Sequence, residues 1–394
     1  MRFLFVAYEG RPPVSPTLRS GGAGDGRRQV CRRARGDAPP PAVKAKAKVK
    51  VKVKVKGMTM ESSSQVRGCL LGGAVGDALG APVEFMALSH IRQLYGPDGV
   101  TGYTEMDDCG YITDDTQMTL FTAEGLLLAR AKATDPVEEV YYAYERWLRT
   151  QGIYAPKTVP HERLEEGLLI HEGKLQEQRA PGSTCIRSLC LRRDVILDAT
   201  HPINDSKGCG TVMRMSPVGL LYPPDQAFRL GSALSALTHG HPSGILAGAA
   251  TAMMVACIRE GASVRESAER ALARLASEPR HEEVTEALAQ AVRLSEDAAV
   301  PVGQALDLLG SGWVAEEALA IAAYCAMRFP HDFRAAVLAA VNISGDSDST
   351  GAITGNLLGA SLGVDAIPRE WLDALYERDI VEDICEQLLG RRGE

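Results

Sequence analysis

The chain has 394 residues, 45% of them hydrophobic, enough apolar material for one large domain or two ordinary ones. Its net charge of −7 averages two unlike parts: residues 1–60 hold fifteen Lys and Arg against three Asp and Glu, and the rest holds 28 against 47. An acidic body lacks the cationic surface that grips nucleic-acid phosphates, and no apolar run reads as the span of about 18 to 20 residues that a bilayer requires.

Residues 1–57 are rich in Pro, Gly and Arg, then pass into a Val-Lys alternation ending at Lys56. A period of two normally marks a strand. Here every second side chain is a like charge with no partner strand in view, so residues 1–60 are expected to be a disordered, solvated basic tail. The apolar start is short and broken by Glu9, unlike a secretory signal. Met58 and Met60 fall at the change of composition. That motivates the hypothesis that the natural protein begins there and the upstream stretch is mis-assigned; an intact mass including residues before Met58 would contradict it.

Residues 61–394 read as a single all-α domain. Ser62, Ser63 and Ser64 offer N-caps to a helix with Val66, Cys69, Leu70, Ala74 and Leu79 at near-helical spacing and Gly68, Gly72, Gly73 and Gly76 between them. Glycine inside a helix costs about 1 kcal/mol relative to alanine, so this helix persists only where tight packing demands small residues. It is expected at the centre. Residues 95–112 read as a Gly-rich loop and 150–181 as polar and irregular. Helices are expected from Gln117 to about Lys132, from Pro136 through Trp147, after Pro181-Gly182-Ser183-Thr184, and over Val212–Leu220. Others are expected near 225–238, 242–259, 262–276, 281–296, 315–328, 332–343, 350–363, 368–377 and 379–390. Long Val/Ile/Thr runs are missing, and the self-similarity of a helical solenoid is absent. Nine cysteines, odd in number and without a CxxC pair, fit neither a disulfide framework nor a thiolate zinc site and point to a reduced, cytoplasmic protein.

The densest chemistry lies at Gly345-Asp346-Ser347-Asp348-Ser349-Thr350-Gly351, two carboxylates and three hydroxyls before a small-residue helix. A helix cap explains one such residue, not the cluster; alternating acids before a helix suit a hard cation. An EF-hand requires Glu at its twelfth position, where Leu357 stands. The Asp-x-Asp-x-Thr nucleophile of haloacid-dehalogenase-type phosphatases follows a strand, and none precedes this one. A second acid-rich helix start is Thr113-Asp114-Asp115-Thr116. Bringing the two together concentrates four carboxylates, which is unfavourable without cations, and a pair of Mg²⁺ ions would neutralise them. Glu84 or Asp77 could complete the site. The Ser206–Thr211 loop resembles an anion cradle, although a tight turn explains it as well. His239 and His241 flank a helix-to-helix turn, one as a cap and the other near the site.

Taken in order, Gly72-Gly73-Ala74-Val75-Gly76-Asp77-Ala78-Leu79-Gly80 with Glu84, Thr113–Thr116, Gly208-Cys209-Gly210-Thr211-Val212-Met213-Arg214, Thr238-His239 and Gly345–Gly351 resemble the ADP-ribosylglycohydrolase family over roughly residues 64–363. The resemblance implies a compact, orthogonal all-α bundle with two Mg²⁺ ions per site, for which Mn²⁺ can substitute. Thr113, Asp114 and Asp115 would bind metal from one helix start and Asp346, Asp348 and Ser349 from the other, with Glu84 as the acid on a mobile loop at the mouth. Some members carry Thr where Ser349 stands. Ser206, Gly208, Cys209, Gly210 and Thr211 would take the diphosphate, members varying at Cys209, and His239 would line the site. The implied reaction is hydrolysis at the distal ribose C1, freeing ADP-ribose from a protein arginine or serine or from a small molecule, with a base among Asp114, Asp115 and Glu84. The implied protein is a monomer. The alternative is a non-catalytic ADP-ribose-binding or structural member, which has no need of intact acids.

Overall fold

The structure is a computed structural model that describes residues 60–154, 159–192 and 202–390. The expected basic tail falls on residues 1–59, outside the described residues, and Met60 already opens a helix. Among the described residues there are seventeen α-helices with short 3-10 turns between them and no strand, only the isolated bridges Gly110 to Leu375 and Gly208 to Val314. The fold is all-α.

At its centre the Met60–Gly80 helix lies antiparallel on the Ser347–Leu362 helix, the partnership its glycines predict. A Cβ on Gly68, Gly72, Gly76 or Gly80 would fall 2.2, 2.5, 2.0 or 2.3 Å from the carbonyl oxygens of Gly359, Gly355, Gly351 and Ser347. Backbone therefore rests on backbone along four successive turns. The amide of Asn356 donates to the Cys69 carbonyl at 2.8 Å between the glycine contacts. The Pro242–Arg259, Ala315–Arg328 and Phe333–Val341 helices pack around this pair. Contrary to the sequence reading, one helix, Pro242–Arg259, is long and apolar enough to cross a membrane, yet 83% of it is buried inside the protein, as a core helix is.

Several boundaries move. The helix expected over Val212–Leu220 becomes a 3-10 turn at Cys209–Thr211 and a helix at Ser216–Leu221. Pro217 sits in its first turn, where a missing N–H is harmless, and disfavours helical backbone before it. The helix expected from residue 350 begins at Ser347, so Asp348, Ser349 and Thr350 lie in its first turn. Helices at Leu88–Tyr95 and Val302–Leu309 had no counterpart in the sequence reading. Among the described residues, seven cysteines are free thiols.

Gly355→Ala places a methyl group 2.0 Å from the Gly72 carbonyl oxygen, where no side chain can yield. Overpacking of this kind is expected to lower unfolding free energy by about 3 kcal/mol or more. In the Val302–Leu309 helix, a Cβ on Gly303 meets nothing within 4 Å. Gly303→Ala is therefore expected to be neutral or to stabilise by about 0.5 kcal/mol, and denaturant unfolding of the two variants checks the contrast.

Candidate active site

Thr113 caps the Asp114–Lys132 helix, its hydroxyl accepting the Asp115 N–H at 3.3 Å. Asp114 and Asp115 thus occupy the first turn, where the helix dipole favours anions. The helix end is pinned from the central pair by Asp77. Its carboxylate accepts the Thr113 N–H at 3.1 and 3.0 Å, the Thr116 N–H at 3.1 Å and the Thr116 hydroxyl at 2.5 Å. With both oxygens engaged, Asp77 is an anchor between two helices. Glu84 and not Asp77 is the acid left over at the mouth.

On the facing side Asp346 caps the Ser347–Leu362 helix, accepting the Ser349 N–H at 3.3 Å and the Cys209 thiol at 2.8 Å. Asp348 accepts the Ser349 N–H at 3.0 Å. The hydroxyl of Thr350 turns back to the carbonyls of Asp346 and Ala340, at 2.7 and 2.9 Å. That of Ser349 faces the Cys209 sulfur at 3.7 Å, so Ser349 is the hydroxyl left toward the cluster. Glu84, Asp346 and Asp348 each place a carboxylate oxygen within 4.8 Å of the others.

The two helix starts meet, and their charges show it. Burial raises Asp115 far above the carboxylate range, and the charges of Asp348, Asp114, Asp77 and Asp346 add to it. Burial likewise raises Asp114 and Asp348, opposed at Asp114 by the Gly182 N–H, which donates to its Oδ2 at 3.1 Å. Glu84 is pushed up to about 10 by burial and then by Asp348 and Asp346, and Asp77 to about 7 by burial and then by Asp348. Among the described residues, Oδ2 of buried Asp115 has no hydrogen-bond partner. An orphaned carboxylate oxygen inside an all-oxygen acidic cluster is what a hard divalent cation satisfies. The residues fit such an ion. Burial and Asp346 hold the Cys209 thiol well above its usual range, which suits a protonated donor.

The Ser206–Thr211 loop lies beside this cluster but is not an open cradle. The N–H groups of Ser206, Gly208 and Cys209 already donate to Asn204, Ser206 and Trp313, at 2.9, 3.3 and 3.2 Å. Thr211 is buried, with its hydroxyl on the Gly244 carbonyl at 2.6 Å, and Lys207 turns away to Glu283 and Glu316. The helix dipole expected just after the loop is displaced to Ser216. His239 is 1% exposed and backs the loop, since a Cβ on Gly208 or Gly210 would approach its ring at 3.4 or 3.3 Å. Burial and the charge of Arg214 lower it to about 3, so it is neutral at physiological pH. His241 instead caps the Pro242–Arg259 helix, accepting the Ser243 N–H at 3.2 Å.

Arg214 closes the Gly208–Arg214 motif, and its task emerges only in the fold. Fully buried, it donates to Thr238 at 2.6 Å and to the Cys185 sulfur at 3.2 Å, and lies 4.8 Å over the Tyr144 ring. Thr238 in turn bonds His239 Nδ1 at 2.8 Å. Arg214 therefore fixes the imidazole behind the loop and brings positive charge toward Asp114. Its place three residues after Thr211 was the available signal.

Asp77, Glu377 and Glu84 have pKa values near 7, 8 and 10, all above their ordinary ones. Groups raised on folding stabilise the fold fully below their unfolded pKa and lose that contribution as pH rises through the folded value. In EDTA, the melting temperature is expected to fall from about pH 5 to about pH 8. Adding Mg²⁺ should raise it more at the higher pH; thermal melts at both values check this.

Comparisons with known proteins identify the family. Residues 58–394 match the ADP-ribosylglycohydrolase family. The ADP-ribosyl-[dinitrogen reductase] glycohydrolase of Rhodospirillum rubrum is 30% identical, covering 83% of this chain and 96% of its own length. ADP-ribosylhydrolase ARH3 of Homo sapiens is 27% identical, over 84% of this chain and 94% of its own. A solved structure titled ADP-ribosylglycohydrolase-related protein complex superposes with a TM-score of 0.53 at 25% identity, covering 85% of this chain and all of the other. The chain belongs to the ADP-ribosylglycohydrolase family and is a hydrolase of ADP-ribose glycosidic bonds.

Proposed function

We propose that the protein is a Mg²⁺-dependent hydrolase that releases ADP-ribose from a modified side chain, cleaving at the distal ribose C1. The observation that carries this is the buried meeting of the helix starts at Asp114–Asp115 and Asp346–Asp348, where Glu84, Asp346 and Asp348 place carboxylate oxygens within 4.8 Å of one another and Oδ2 of Asp115 has no partner among the described residues. Thr113, Asp114, Asp115, Asp346, Asp348 and Ser349, with Glu84, would hold two Mg²⁺ or Mn²⁺ ions. When bound, divalent cations supply positive charge and Lewis acidity toward hydroxyl and water oxygens.

Glycosidic cleavage passes through an oxocarbenium-like state, so a carboxylate must take a proton from the attacking water. Glu84 fits this role best. Asp114 is tied to Gly182, whereas Glu84 is half-exposed at the mouth, and no hydrogen bond from a described residue reaches its carboxylate. Burial raises Glu84 most, and neutralising Asp346 and Asp348 would remove the part their charges add, moving it toward the range of a base at neutral pH. The half-exposed Ser206–Gly210 backbone and His239 would border the diphosphate, chiefly through shape, given how many loop N–H groups are engaged.

The names of the Rhodospirillum rubrum relative and of the ADP-ribosylarginine hydrolase Tri1 of Pseudomonas putida support a protein acceptor, and arginine ahead of serine. Incubation with ADP-ribosyl-arginine and ADP-ribosyl-serine peptides, in Mg²⁺ and in EDTA, separates the readings. Free ADP-ribose is expected only with metal and faster from arginine; release in EDTA, or none from either peptide, contradicts the proposal. Losing a group that merely supports a metal ligand costs about 10- to 100-fold. Asp348→Asn, which alters a direct ligand, should cut kcat to about a hundredth or less.

A further inference from the structure

Phe85 follows Glu84 directly and is 73% exposed, with φ at +66°, a conformation that bulky residues rarely adopt. Its ring is nonetheless partnered. It stacks on Trp313 with centroids 4.9 Å apart and planes 21° apart. Its N–H donates to the Gly345 carbonyl at 3.3 Å, one residue before Asp346. The Trp313 carbonyl accepts the Cys209 N–H at 3.2 Å, and the adjoining Val314 bridges to Gly208. One exposed aromatic pair thus joins the Glu84 loop to the two segments that flank the acidic centre.

Glu84 needs such a tie. Of its own groups, only the backbone N–H is held among the described residues, by the Gly80 carbonyl at 3.1 Å. Phe85 itself holds a φ of +66° that a bulky residue rarely adopts, so contacts beyond the acid have to keep this loop in place, and the Gly345 bond and the stack on Trp313 are those contacts. We propose that the Phe85–Trp313 stack is a latch that holds Glu84 over the acidic centre, making Phe85 and Trp313 positioning residues for the reaction. This rests on the assignment of Glu84 to the site made above.

The chain has three tryptophans, and Trp147 and Trp371 are buried while Trp313 is 37% exposed, so acrylamide quenching reports on Trp313. Phe85→Gly deletes the ring and relaxes the positive φ, Phe85→Tyr keeps the ring, and Trp313→Leu deletes its partner. In Phe85→Gly, quenching of Trp313 should increase, and the Mn²⁺ concentration giving half-maximal thermal stabilisation should rise about 3- to 10-fold. Its kcat should fall by a similar factor with KM changed less, and Phe85→Tyr should restore both. The double variant Phe85→Gly/Trp313→Leu should be no worse than either single variant, because the two rings act as one contact. Additive losses, or a Phe85→Gly protein with wild-type quenching, Mn²⁺ titration and kcat, would overturn the latch. A wild type that binds Mn²⁺ but releases no ADP-ribose would refute the proposed function instead; quenching and Mn²⁺ titration would still decide the latch.

Discussion

Contact of glycine backbone on glycine backbone between the Met60–Gly80 and Ser347–Leu362 helices is the constraint on which the rest of the molecule depends. Because these helices approach backbone to backbone at four glycine positions, the end of one and the start of the other lie at a fixed separation. Asp77 leaves the first helix to pin Thr113 and Thr116, and Asp346 caps the second. The packing therefore does more than fill a core. It sets the distance between two clusters of acids that the chain order keeps far apart.

That distance has an electrostatic consequence. Carboxylates gathered in a buried place raise one another's pKa values, and burial raises them further. Hydrogen bonds meet part of the demand: Gly182 on Asp114, Cys209 on Asp346, and Thr113 and Thr116 on Asp77. The unpartnered oxygen of Asp115 is what they leave unmet. Arg214 brings positive charge toward Asp114 but spends its hydrogen bonds on Thr238 and Cys185. The cluster is built for a charge that the chain does not supply, and this links the fold to hydrolytic chemistry.

Much of this was legible in the sequence because it rests on residue type and local spacing. Gly68, Gly72 and Gly76 recur at one helical turn, a pattern with little use except close approach, and it placed the central helix correctly. Adjacent acids at Asp114–Asp115 and alternating acids at Asp346 and Asp348, each with hydroxyls at a helix start, marked the two halves of the candidate site. What failed depended on partners distant in the chain. The Ser206–Thr211 loop looked open because nothing local shows that Trp313 accepts from Cys209 or that Thr211 is sealed under Gly244. By residue type alone Asp77 and Glu84 are equivalent, and only the Thr113 and Thr116 bonds show Asp77 engaged as an anchor. Phe85 and Trp313 are unremarkable in sequence, and only the fold stacks them. Arg214 was quoted within a motif, yet its link through Thr238 to His239 requires the tertiary structure.

The most direct measurement of the central claim is anomalous diffraction from crystals soaked in Mn²⁺. The account predicts two peaks about 3.5 to 4 Å apart, lying between the Asp114–Asp115 turn and the Asp346–Ser349 turn, with one against Oδ2 of Asp115. No peak in that space, or Mn²⁺ bound only elsewhere on the acidic surface, would contradict it.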